Sequence, residues 1–148
     1  LWSEQLQNIR NLEYMAWPRL MAIAEVAWSP KSSKDWNKFA KKVESHFAIL
    51  DTLKIKYAKS IYDPIVTTTL NTKGELFASM EGEVSGLDFY YTIDESMPDN
   101  YSNHYSGPVS IPEDVTVMRV ISYQNGKPIG KLLNIPMSSL KQRAVKVL

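Results

Sequence analysis

The chain has 148 residues, 44% apolar and 22% charged, a composition that buries a core in one ordinary domain or two small ones. Its 17 basic and 16 acidic side chains leave a net charge of +1, too balanced to draw it electrostatically to nucleic acid or a membrane surface. The absence of cysteine excludes disulfides, thiolate metal sites and a cysteine nucleophile, and no apolar run reaches the roughly 18 residues that a bilayer span needs.

The chain opens on LWSE, with neither an initiator Met nor a signal peptide, as expected of a piece cut from a longer protein. Trp2 and Glu4 stand two apart, so in an extended segment they project on the same face. Such a pair suits a sugar, whose apolar face packs on indole while a carboxylate accepts hydrogen bonds from its hydroxyls. The alternative is a core tryptophan beside a surface glutamate.

From Trp17 to about Tyr57 the pattern is helical. Pro18 suits the first turn of a helix, where its missing N–H has no intrahelical partner to lose. Leu20, Ile23, Ala24 and Ala27 then recur at the spacing of one buried face, and Pro30 ends the run. Ser32 or Ser33 is placed to cap the next helix, with Asp35 in its first turn. There Trp36, Phe39, Val43, Phe47, Leu50 and Leu53 form an apolar stripe, while Lys34, Lys38, Lys41, Lys42 and Glu44 lie largely off it as a solvated face. Two such helices have little to cover. They either pack on the second half of the chain or once packed on something removed, and Trp2, Trp17, Trp28 and Trp36 favour the second.

After about Lys59 the period changes to two. PIVTTTL, ELFASMEG, LDFYYTI, TVMRVISY and IGKLLNI are rich in β-branched and aromatic residues and are separated by turn signals. Asn125-Gly126, between two such runs, predicts a hairpin. About six strands without intervening helices suggest a small antiparallel sandwich. The change of period divides the chain into a helical part, residues 1–58, and a sandwich, residues 59–148.

Neither His46 nor His104 has a second ligand at metal-binding spacing, and the chain lacks phosphate, dinucleotide, nucleophile-elbow and zinc-protease fingerprints. No metal or cofactor is expected. Asp94-Glu95 is a poor glycosidic acid–base pair, because that chemistry needs two carboxyl groups about 5 Å or more apart across one bond, whereas adjacent strand residues face opposite ways. Asp94 reads as a turn former. Tyr90, Tyr91, Tyr101, Tyr105 and Tyr123 enrich the sandwich in aromatics that fill a core or cover an edge. Of the adjacent Tyr90 and Tyr91, one is expected inside and one outside, and stacking of a sugar on an exposed ring remains the alternative.

LWSE followed by LEYMAWPRLMAIAEVAWS closely resembles the end of the catalytic barrel in family 20 glycoside hydrolases, the β-N-acetylhexosaminidases. Tyr14, Met15, Pro18, Arg19, Ala22, Ala24, Glu25 and Trp28 match that stretch position by position. Trp36, Phe39, Leu50 and Asp51 look like the last barrel helix, so the resemblance covers roughly residues 1–58. FYYTIDESMPD and YSGPVSI are similar to the β-sandwich that follows the barrel in many bacterial members. Glu95 stands where that pattern has Gly, a departure that bears on the turn geometry.

The resemblance implies an α+β fragment: the last helices of a (β/α)8 barrel, then a small antiparallel immunoglobulin- or fibronectin-like sandwich. It also implies a parent that removes terminal N-acetylglucosamine or N-acetylgalactosamine from glycans with retention, the substrate's acetamido oxygen attacking C1. The general acid and the residue orienting the acetamido group belong to an H-x-G-G-D-E motif, which this chain lacks. Asp94-Glu95 does not inherit that role, and no catalytic residue is carried over. Trp2 is implied to line the N-acetyl sugar pocket, and Glu4 to hydrogen-bond O4 and O6 of the terminal sugar. Arg19 and Glu25 are read as structural, pairing within the helical layer. A barrel builds its site from the ends of several strands, so the isolated chain is expected to be inactive. The parent is expected in the periplasm or outside the cell, and self-association of the chain through exposed helix faces is left open. The competing reading is a non-catalytic carbohydrate-binding or protein-interaction module whose helices brace the sandwich, the sandwich itself being a spacer by default.

Overall fold

The computed structural model describes residues 6–146. The chain divides into two compact units, Leu1–Ala58 and Lys59–Leu148.

The first unit is helical, with α1 over Ile9–Ala16, α2 over Arg19–Trp28 and α3 over Trp36–Thr52. Asn8 caps α1, its side chain accepting from the Asn11 N–H at 2.9 Å. Pro18 precedes α2 as its N-cap residue and follows Trp17 through a cis peptide bond. Neither Ser32 nor Ser33 caps α3. Both lie in a 3-10 turn, Lys31–Ser33, where the Ser33 hydroxyl is bound to the Pro30 carbonyl. The cap is Asp35, whose carboxylate accepts from the Lys38 N–H at 2.8 Å.

Helix α3 buries Ala40, Val43, Phe47 and Leu50, and Phe47 stacks on Tyr57 at 4.3 Å between ring centroids. Of the expected stripe, Phe39 is half-buried and Trp36 and Leu53 are exposed. The helix ends in a Schellman arrangement: the Ile55 N–H reaches the Leu50 carbonyl at 2.9 Å and the Lys54 N–H reaches Asp51 at 3.1 Å. Lys54 takes the left-handed position this motif requires, at φ 56°. The chain then runs back along α1, where the Lys56 N–H meets Glu13 Oε2 and the Ala58 N–H meets the Trp17 carbonyl, both at 3.0 Å.

Helix α2 departs from expectation. Arg19 and Glu25 are its only charged residues, yet it has no buried residue. Leu20, Ile23, Ala24 and Ala27, which the spacing marks as a buried face, are all exposed, Ile23 by 63%. Periodicity identifies an apolar face but does not supply its cover.

The second unit contains β1 (Ile65–Leu70), β2 (Leu76–Glu81), β3 (Asp88–Thr92), β4 (Asn103–His104), β5 (Val109–Ile111), β6 (Val117–Gln124), β7 (Lys127–Pro128), β8 (Leu133–Pro136), helix α4 (Met137–Arg143) and β9 (Val145–Lys146). One sheet runs β5-β2-β1-β9 and the other β4-β3-β6-β7, with β8 also on β6. All pairs are antiparallel except β1 with β9. Leu76, Ala78 and Met80 of the first sheet share one core with Phe89, Met118 and Val120 of the second, consistent with a β-sandwich. Asn125 and Gly126, at φ 52° and 72°, make the predicted two-residue hairpin turn between Gln124 and Lys127. Helix α4 is an addition to the strands expected here. It buries Leu140 in the core, and Thr68 Oγ1 donates to the Leu140 carbonyl at 2.8 Å.

Candidate functional site

Trp2 and Glu4, the residues expected to face the sugar, fall outside the described range. What the structure does place is the stretch that follows them. Arg19 donates from Nη1 to the Met15 carbonyl at 2.8 Å and to the Tyr14 carbonyl at 3.4 Å, satisfying acceptors that the end of α1 leaves open. Glu25 pairs with Lys42 Nζ of α3 at 3.0 and 3.1 Å. Hydrogen bonds from Lys42 and then Ser29 hold its carboxyl below the usual carboxylate range. Lys34 closes the end of α2, donating to the Val26 carbonyl at 2.9 Å. Arg19 and Glu25 are thus committed to joining helices, as their reading as structural residues requires. Between α2 and α3 an open groove is lined by Ala22, Val26, Trp36 and Phe39, with Glu25 and Lys34 at its side.

In the second unit, Asp94 accepts from the Ser96 hydroxyl at 2.6 Å and from the Ser96 N–H at 3.2 Å. The hydroxyl bond is the main reason its carboxyl lies below the usual range. Glu95 has φ 66°, so it holds the left-handed geometry that the family pattern gives to Gly. Its carboxylate accepts from Thr116 Oγ1 and its carbonyl from Arg119 Nη1. The Asp94 carboxylate is therefore occupied in building the turn, and the Glu95 carboxylate in tying it to Thr116.

Tyr90 and Tyr91 do not divide into one inside and one outside, since both are half-buried. Tyr91 packs against the core, and burial pushes its hydroxyl pKa up, while Tyr90 meets the His104 and Tyr123 rings at 5.2 and 5.0 Å. Tyr105 stands edge-on to Phe89, and Tyr123 is buried. Tyr101 differs, its side chain 90% exposed on a turn that Asp99 locks by accepting from the Tyr101 N–H and the Ser102 hydroxyl, each at 2.9 Å. His46 bonds the Lys42 carbonyl of its own helix at 2.7 Å, and His104 lies 3.4 Å from Asp88. The Asp88 partner was not anticipated from the sequence, since β4 is two residues long and carries no period. Among the described residues no group of three or more His, Cys, Asp or Glu is placed to hold a metal, and no helix is long and apolar enough to cross a membrane.

Residues 1–31 match the family model described as glycosyl hydrolase family 20, catalytic domain, and residues 79–135 match the one described as Fn3 associated. Over these two stretches the chain is similar to a family 20 glycosyl hydrolase catalytic domain and to an Fn3-associated domain. A beta-hexosaminidase of Porphyromonas gingivalis is 27% identical over 119 residues, 76% of this chain and 15% of the relative. A beta-hexosaminidase of Akkermansia muciniphila is 41% identical over 46 residues, 31% of this chain and 9% of its own. A beta-N-acetylhexosaminidase of Cellulomonas fimi is 35% identical over 60 residues, 40% of this chain and 12% of its own. The chain therefore spans only a small part of the curated relatives it matches.

Proposed function

We propose that this chain is the C-terminal part of a retaining β-N-acetylhexosaminidase that removes terminal N-acetylglucosamine or N-acetylgalactosamine from glycans in the periplasm or outside the cell. In this reading α2 and α3 are the last helices of the catalytic barrel. The observation that carries it is the open face of α2. A nearly uncharged helix with no buried residue fits a layer whose apolar partner is the rest of that domain. The catalytic acid and the group orienting the acetamido oxygen lie upstream. That oxygen attacks C1 while the acid protonates the departing glycosidic oxygen, and water later opens the cyclic intermediate with retention. Trp2 packs against the N-acetyl sugar and Glu4 accepts hydrogen bonds from O4 and O6.

Two measurements test this. In the full-length enzyme Glu4→Gln is expected to lower kcat/KM on a chromogenic N-acetylglucosaminide by about 10- to 100-fold, the loss of hydrogen bonds to a charged acceptor at about 1.5–3 kcal/mol. The isolated 148-residue chain is expected to give no turnover. Activity in that chain, abolished by the same substitution, overturns the reading.

A further inference from the structure

We draw no further inference here: the strongest candidate, the surface patch of Asp88, Tyr90 and His104 on the β3–β4 edge of the second sheet, carries nothing, because nothing in the structure shows what covers it.

Discussion

Glu95 shows how a single residue holds a backbone that suits it poorly. A left-handed conformation costs a residue with a Cβ about 1 kcal/mol or more relative to glycine. Here the cost is offset by the bond from Thr116 to its carboxylate and the bond from Arg119 to its carbonyl. Substituting Ala keeps the strain and discards the carboxylate, whereas Gly discards both. Glu95→Ala should therefore be the less stable of the two by about 1 kcal/mol, read from thermal denaturation of the two variants. An Ala variant as stable as the Gly variant would rule out strain at this position. The sequence was legible here in part. Asp94 as a turn former follows from a purely local bond to Ser96, two residues away. That Glu95 accepts the glycine conformation depends on Thr116 and Arg119, over twenty residues downstream, and local pattern does not reach that far.

At the scale of elements, the end of α3 repeats the same situation without compensation. Lys54 occupies the left-handed position of a Schellman motif, and its only described role there is the backbone bond. Lys54→Gly should raise stability by about 1 kcal/mol, seen as a higher urea midpoint with unchanged slope, and an unchanged or lower midpoint would refute the prediction. A few residues on, Tyr57 stacks on Phe47 and bonds to Asp51. Burial first, then that bond, pushes its hydroxyl from 10.0 up to about 12. A raised acid pKa means that the folded form resists ionisation. The associated stability is complete below about pH 10 and is lost as pH rises through 12. Tyr57→Phe should flatten the fall in helical signal between those values in an alkaline titration monitored by circular dichroism. An identical fall in both proteins would remove Tyr57 as its cause. Helix α1 lies ahead of the run that the period marked from Trp17, but α2 and α3 were readable because they are long enough to show a 3.6-residue period. Helix α4 was not, since seven residues with one buried side chain, Leu140, give no period to detect.

For the whole molecule, the consequence of an uncovered α2 is measurable. Leu20, Ile23, Val26 and Trp28 are exposed on α2, as is Trp36 at the start of α3, and an apolar area of this kind favours association. Sedimentation of the isolated 16.9 kDa chain should show species heavier than the monomer. Ile23→Lys combined with Val26→Lys should return it to the monomer, since both side chains already face solvent and the fold does not depend on them. A wild-type chain that stays monomeric at high concentration would overturn this expectation. The sequence made the two halves and the apolar stripes legible. It did not reveal which stripes the chain itself covers, because cover is a property of what lies opposite in space.

The two bonds that tie the returning segment to α1, from Lys56 to Glu13 and from Ala58 to Trp17, close the helical unit like a paper clip. The chain leaves this unit beside the helix through which it entered, some forty residues earlier. Residues added to or removed from the exposed 3-10 turn at Lys31–Ser33 would change the size of the clip without moving its clasp. The point of departure toward the sandwich is thus insulated from length variation in the loop between α2 and α3.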